Sequence, residues 1–350
     1  MTELFNEKLF NRLCSDYIAG KLDKKNNILK GNILPPDNIT DMYPEKNSEI
    51  YNYYKALGES SVTKKEYAAA VMNGGMATRF GSGVKGVAEV YNNKSFLQIK
   101  IEFIKKISEQ YGVQIPVFIM NSIFTDKITR QHFESNNYFG YDKSNIVFFN
   151  QYVFKRLNPD GTVFSDNDNL FYGCGHGDFF YAFNEFAAPN LDKKIKYIFY
   201  SNVDNLGAAF DPVILGYHIS KNKNVTVEVA KKNKGDRGGA PAIVDGVPQI
   251  VEEFKFPASF NQDSIKIFNS ASYTFSIGIF RKKIELPFYV VEKKAGDSTV
   301  IQFERLAGDI TMFEDSNYIE IDRNIRFLPV KTKEDLESVS LTLMNFEKKL

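Results

Sequence analysis

The chain has 350 residues, with 44 Lys and Arg against 43 Asp and Glu and a formal net charge of +1, so it lacks the basic excess usual in nucleic-acid binders. Its hydrophobic content of 43% and charged content of 25% are ordinary for a soluble globular protein. Two distant cysteines, Cys14 and Cys174, make neither a disulfide framework nor a metal site and point to a reducing cytoplasm, and no apolar run approaches the ~18 residues of a membrane span.

In chain order, residues 2–20 read as an amphipathic helix, with Leu4, Phe5, Leu9, Leu13 and Tyr17 at helical spacing. This start has no continuous apolar core and does not read as a signal peptide. Residues 21–40, with Pro35-Pro36, read as a linker, and 51–57 as a short helix. Residues 1–62 are therefore expected to be a helical extension, and 63–350 the main domain.

Residues 67–72 form a short apolar run, the first strand candidate. It leads into Asn73-Gly74-Gly75-Met76-Ala77-Thr78-Arg79-Phe80-Gly81-Ser82-Gly83-Val84-Lys85. Glycines let backbone N–H groups approach a ligand, and successive N–H groups with two cations make an anion cradle. This is not a P-loop, since no Gly-Lys-Ser/Thr ends it. Gly81 to Gly86 satisfies G-x-G-x-x-G literally, but it starts nine residues after Met72 and precedes an extended stretch. A dinucleotide fingerprint should instead sit at the strand end and open a helix. The reading is a loop wrapped around a nucleotide's phosphates.

Ser95 to Gln98 fits a capping box, with Gln98 reaching back. Phe96, Ile99, Phe103, Ile104, Ile107 and Tyr111 then form one apolar stripe. Further strands are expected at 116–121, 145–150 and 196–201, and further helices at 124–133, 177–186 and 211–220. Unalternating apolar strands between helices predict an α/β fold with a mostly parallel central sheet. Asp166-Asn167-Asp168 matches a D-x-D but lies in a polar loop and reads as solvated. Gly173-Cys174-Gly175-His176-Gly177-Asp178 reads as a helix start with free N–H groups. His176 there is a catalytic, substrate-contacting or structural residue. The strand at 196–201 runs into Ser201-Asn202-Val203-Asp204-Asn205. Asp204 either caps the following turn or helps hold Mg²⁺ beside substrate phosphates.

From 225 to 280 the pattern changes. Strands at 225–230, 240–244, 249–254 and 273–280, separated by turns, predict an antiparallel β insertion over one end of the sheet. Arg326 to Lys331 reads as a strand ending in a lysine, followed by a closing helix from Thr332 with Leu336, Val339, Leu343 and Phe346 on one face.

Taken in order from about 67 to 345, six of these segments resemble the UTP–glucose-1-phosphate uridylyltransferases (UDP-glucose pyrophosphorylases) and the related UDP-sugar pyrophosphorylases. They are Asn73-Gly74-Gly75 through Lys85, Phe149-Asn150-Gln151, Gly175-His176-Gly177-Asp178, Ser201 through Gly207, Phe268-Asn269, and Phe327 through Thr332. The resemblance implies a Rossmann-like nucleotide-diphospho-sugar transferase fold, with 225–280 as the sugar-binding insertion. It implies a Mg²⁺-dependent reaction in which UTP and a hexose 1-phosphate, most simply glucose 1-phosphate, give UDP-sugar and pyrophosphate. It implies that Arg79, Lys85 and Lys331 act on the phosphates, that Asn73, Gly74, Gly75, Gln151 and Gly175 bind the nucleotide, and that Asp204 carries Mg²⁺. His176, Asn202, Glu252 and Asn269 would face the sugar phosphate.

That set needs no nucleophile–base pair, because a sugar phosphate is already anionic; alignment and charge neutralisation suffice. The chain departs from the family at Ser272, where a second Asn is usual, which leaves the sugar's identity open. It also ends about twenty residues after Lys331, so the family's C-terminal β-helix is expected to be absent and the protein to be a monomer or small homo-oligomer. Two readings of other classes remain. A non-catalytic nucleotide-sugar binder would not need Arg79, Lys85, Asp204 and Lys331, and a retaining glycosyltransferase would need a D-x-D at a strand end.

Overall fold

The structure is a computed structural model that describes residues 2–37, 39–76, 83–166, 170–233, 236, 238–330, 335–337, 339, 340, 342 and 343. An eight-stranded sheet forms its centre. In chain order its strands are β1 (Thr40–Met42), β2 (Tyr67–Asn73), β3 (Val117–Asn121), β4 (Ile146–Asn150), β5 (Tyr197–Asn202), β6 (Val225–Lys231), β7 (Ile267–Ser276) and β8 (Ser316–Ile321). Across the sheet they run β1–β8–β6–β7–β5–β2–β3–β4. Neighbours are parallel except at β7, which is antiparallel to both β6 and β5.

Every residue of β2 and of β3 is buried, as unalternating strands must be when helices cover both faces. After the helices α1 (Glu7–Ile18) and α2 (Glu49–Thr63), α3 (Phe96–Tyr111) and α4 (Asp126–Ser135) lie on one face, and their Phe96, Ile99 and Phe133 pack on Val71 and Ile119. Val339 and Leu343 of the closing helix join that core. The other face carries Phe179 and Phe183, which pack on Ala70, Met120 and Tyr200. The helix expected over 177–186 is broken into a short 3-10 turn, Phe179–Ala182 and a π turn over Phe183–Ala187. Ser95 caps α3 by accepting from the Gln98 N–H (3.1 Å). The reciprocal half of the capping box is not made, because the Gln98 amide turns to Glu102 (2.9 Å).

The expected insertion at 225–280 divides in two. Its first and last strands, β6 and β7, belong to the central sheet. Only Ala240–Val244 and Val247–Val251 form a separate antiparallel unit, with Ile33–Leu34 as its third strand. The reason is burial: residues 225–230 are buried without a break, which suits a central strand and not a half-exposed cover. The first 62 residues are likewise woven in. They supply β1 and Ile33–Leu34 to the two sheets, and Phe10 and Leu13 of the helix Glu7–Ile18 pack on Phe154, Leu157, Tyr172 and Phe303. No helix among the described residues is long and apolar enough to cross a membrane.

Candidate active site

The parallel strands β2, β3, β4 and β5 each end in asparagine, with Asn73 opposite Asn121 and Asn121 opposite Asn150. Ligands of open α/β sheets bind outside such carboxyl ends. A cleft of about 420 Å³ opens there, bordered by Gly74, Gly75, Lys85, Gln151, Gly175, His176, Asn202 and Asp204. Its size falls within the roughly 300–1,000 Å³ of small-molecule sites. Larger hollows exist, one of about 820 Å³ between Lys232 and Lys266. The cleft is singled out by what converges on it, not by its volume.

At one end sits the Gln151 amide. A β-carbon on Gly74 would lie 2.6 Å from its Nε2, and one on Gly173 would lie 2.2 Å away. Two glycines, far apart in sequence, therefore leave the space that this amide fills. An amide held so closely can read a base edge by paired donor and acceptor. Gly173→Ala is expected to displace Gln151 while the protein still folds, because the obstacle is the end of a side chain. On the expectation that Gln151 reads uracil, UTP binding should weaken about 10-fold or more and discrimination against CTP should narrow, measured by KM for each triphosphate; unchanged selectivity would remove Gln151 from base reading.

The Gly-His-Gly-Asp segment is not the free helix start expected of it. Its Gly177 N–H donates to Arg305 O (2.9 Å) and its Asp178 N–H to Gly175 O (3.1 Å). Gly175 lies at φ +89°, and a β-carbon there would meet Arg305 O at 2.6 Å. Asp178 is fully buried. One of its oxygens accepts from the backbone N–H of Tyr152, next to Gln151 (2.5 Å). The other accepts from the Arg305 guanidinium, which lies over the Tyr181 ring at 3.5 Å. This buried pair fixes Gln151 and His176 relative to each other.

His176 accepts at Nδ1 from the Ala307 N–H (3.0 Å), which leaves the proton on Nε2. Burial pushes its pKa down to about 4. It is a neutral hydrogen-bond donor, not a base poised near neutrality. His218, between Thr226 (2.8 Å) and Ser276 (2.9 Å), is pushed down to about 3 by the same cause. Both folded values lie below the ordinary 6.5, so each ring contributes stability above that pH, and the contribution is lost as pH falls towards the folded value. An NMR titration should find both rings neutral at pH 5; a midpoint near 6.5 for His176 would refute the assignment.

At the other end, Lys85 Nζ meets Asp204 Oδ2 at 2.6 Å, both side chains being mostly buried. The glycine loop is closed at its base by the Met76–Val84 bridge and by the Lys85 N–H to Gly75 O bond (3.3 Å). Val330 N–H donates to Asp204 O (3.0 Å), and Asn205 Oδ1 accepts from Leu328 N–H (2.9 Å). The segment before Lys331 is thus stitched to the turn that carries Asp204. Arg79 and Lys331 lie outside the described residues, as do Asn167 and Asp168 of the D-x-D.

The Asn73 side chain turns inward from the end of β2. It is fully buried, and Nδ2 donates to Asn121 Oδ1 and Thr129 Oγ1 (both 2.8 Å). Those partners tie β2 to β3 and α4, so the amide does not face the cleft. Glu252 and Asn269 form a neighbouring cluster. Asn269 N–H donates to Gly239 O (2.8 Å), and a β-carbon on Gly239 would lie 2.9 Å from the Glu252 carboxylate. The Asn269 amide donates to the Tyr273 hydroxyl (2.6 Å). Tyr273 packs on Tyr200, whose hydroxyl donates to His176 O (3.5 Å). Burial, with the Asp309 charge nearby, pushes Glu252 up to about 7. Ser272 is only 1% exposed and paired within the sheet.

Sequence reasoning missed the wall opposite. Arg156, Tyr172, Gln302 and Glu304 also line the cleft. With its amide turned to satisfy both ends, Gln302 accepts from Arg156 Nε (2.8 Å) and donates to Glu304 (3.3 Å). Among the described residues no three His, Cys, Asp or Glu groups gather to hold a metal. Asp204 and Glu304 are carboxylates of the cleft lining; Asp204, beside Lys85, has the chemistry to carry Mg²⁺, which is usually bound by one or two carboxylates while phosphates and water complete its shell.

A family model described as UTP–glucose-1-phosphate uridylyltransferase matches residues 8–350. The chain belongs to that family. It is 30% identical to UTP–glucose-1-phosphate uridylyltransferase 2 of Dictyostelium discoideum, over 83% of this chain and 61% of the relative. It is 30% identical to the Hordeum vulgare enzyme of the same name, over 95% of this chain and 72% of the relative. The chain spans less than two thirds of the Dictyostelium relative. Among solved structures it is similar to a Trypanosoma brucei UDP-glucose phosphorylase, with TM-score 0.78 and 22% identity over 96% of this chain and 75% of the other. It is similar as well to the T. brucei uridine diphosphate N-acetylglucosamine pyrophosphorylase, with TM-score 0.77 and 22% identity over 89% of this chain and 73% of the other. Likeness at this identity establishes that the chain shares the fold of those structures and leaves the sugar open.

Proposed function

We propose that the chain is a Mg²⁺-dependent uridylyltransferase that converts UTP and glucose 1-phosphate into UDP-glucose and pyrophosphate. The observation that carries this reading is the cleft's two ends. A glycine-walled amide suited to a base edge lies at one end, and a Lys85–Asp204 pair suited to a triphosphate lies at the other.

In the proposed reaction a phosphate oxygen of the sugar 1-phosphate attacks the α-phosphorus of UTP. A new P–O bond forms, the bond to the β-phosphate oxygen breaks, and pyrophosphate leaves with its electron pair. The attacking oxygen is already anionic, so no side chain need remove a proton. Lys85, with Arg79 and Lys331 in the same role, neutralises charge on the phosphates, where preorganised cations are most effective. Gln151 and the backbone at Gly74, Gly75 and Gly175 orient the uridine. His176 Nε2–H and Asn202 donate towards the sugar phosphate, and Glu252 and Asn269 bind the sugar's hydroxyls. Mg²⁺ held by Asp204 would supply further neutralisation of the phosphates.

The test is pyrophosphate release from UTP with a panel of sugar 1-phosphates: glucose, galactose and N-acetylglucosamine. Turnover fastest with glucose 1-phosphate, and faster with UTP than with ATP, CTP or GTP, is expected. Preference for the N-acetylated substrate would move the assignment to UDP-N-acetylhexosamine synthesis. No turnover with any of them, Mg²⁺ present, would leave a nucleotide-sugar binder.

A further inference from the structure

Lys100 is only 4% exposed. It projects from the first turns of α3 between Ile99 and Ile101, both buried. Its ammonium donates to Ser201 Oγ (3.1 Å) and to Ala208 O (2.8 Å). Both acceptors are neutral, and among the described residues no carboxylate lies within ion-pair distance of it. Phe103, Ile104, Ile107 and Phe199 line the same small interior space. A buried ammonium costs several kcal/mol to desolvate unless a carboxylate compensates. Among the described residues the other buried lysine shows the usual remedy: Lys255 meets Asp309 at 2.8 Å.

The two acceptors of Lys100 have a meaningful position. Ser201 precedes Asn202 at the end of β5, and Ala208 closes the turn that follows. One ammonium therefore pins both ends of the loop that carries Asn202 and Asp204. Burial pushes Lys100 down to about 7, and the strongest opposing influence is the charge of Asp204. Asp204 thus has Lys85 in contact and shares its electrostatic surroundings with Lys100.

Resting on the uridylyltransferase reading, we propose that Lys100 is a positioning residue: it fixes the Asn202–Asp204 loop from beneath and, because bound phosphates favour its charged form, sets a positive charge under the phosphates of bound UTP. It touches neither substrate. A lysine without an internal carboxylate partner is left with charge to offer the ligand's phosphates, which explains why an expensive group occupies an apolar position.

The test is Lys100→Met, which keeps the length of the side chain and removes the charge and both hydrogen bonds. The thermal midpoint should be unchanged or higher, because an apolar isostere replaces a buried charge. At the same time kcat should fall about tenfold or more, as expected when a reacting site is slightly misplaced, and the calorimetric Kd for UTP should rise about fivefold. A merely structural lysine predicts the reverse: lower stability, with kcat and Kd as in the parent. A folded Lys100→Met protein with parental kcat and Kd overturns the proposal. Should that variant not fold, Ser201→Ala carries the test, since it removes one anchor and leaves the charge; parental kcat there is equally fatal. A parent that binds UTP but turns over no sugar 1-phosphate counts against the uridylyltransferase reading, and the Kd comparison still decides the case of Lys100.

Discussion

Lys85→Ala is expected to lower kcat/KM by about 100- to 1,000-fold and to leave the fold in place. The side chain sits at the cleft, 16% exposed, with Asp204 at 2.6 Å, and no core cluster depends on it. Charge that accumulates on the transferring phosphate and the leaving pyrophosphate has to be met by groups already in position. Among the described residues that line the cleft, Lys85 is the cation paired with the proposed metal-bearing carboxylate. In the proposed reaction the phosphates of UTP and their cation would compete for both members of the pair: Lys85 would turn to phosphate oxygens and leave Asp204 available. Removing Lys85 takes away an interaction that strengthens as the bond breaks, so kcat and kcat/KM should fall together. A rise in KM alone would mean that Lys85 only binds UTP. Lys85→Arg should rescue little, since a planar fork does not replace a compact ammonium at this site. Near-parental turnover in Lys85→Ala would show that the glycine loop is misassigned.

How much of this was readable in the sequence depends on how local each signal is. β2 and β3 were legible because seven and five consecutive residues are buried, so the chain shows unbroken apolar runs. The Lys85–Asp204 pairing was foreseeable in kind, since a glycine-rich loop with cations and a strand-terminal carboxylate both belong at a sheet's carboxyl edge. The direction of β7 was not legible, because an apolar run carries no polarity and its partners β5 and β6 lie far off in the chain. The direction of the Asn73 amide was hidden for a similar reason. The amide is claimed by Asn121 and Thr129, 48 and 56 residues away, and nothing beside Asn73 announces that. Lys100 did leave a trace. Phe96, Leu97, Ile99, Lys100 and Ile101 are all buried, so α3 begins as a helix apolar all round, and a lysine inside such a stretch is conspicuous. Reading only the Phe96–Ile99–Phe103 stripe hid it.

Asp178→Ala is expected to cost about 3–5 kcal/mol of stability, the usual result when one member of a buried ion pair is removed. Against a typical total of about 5–15 kcal/mol, that leaves a marginal protein. The loss has two parts. Arg305, itself 4% exposed, is stranded without its carboxylate, and the Tyr152 N–H loses its acceptor. The pair's second task separates stability from function. Replacing both members with apolar residues, Asp178→Leu with Arg305→Met, removes the stranded charge and should recover much of the stability. It does not restore the link from the backbone beside Gln151 through Asp178 to the 304–307 segment that orients His176. The double variant is therefore expected to melt near the parent in a thermal scan and still to turn over at least about tenfold more slowly, with weakened preference for UTP. Full activity in a stable double variant would mean that the ion pair only fills the core, and that other contacts hold Gln151 and His176 in register.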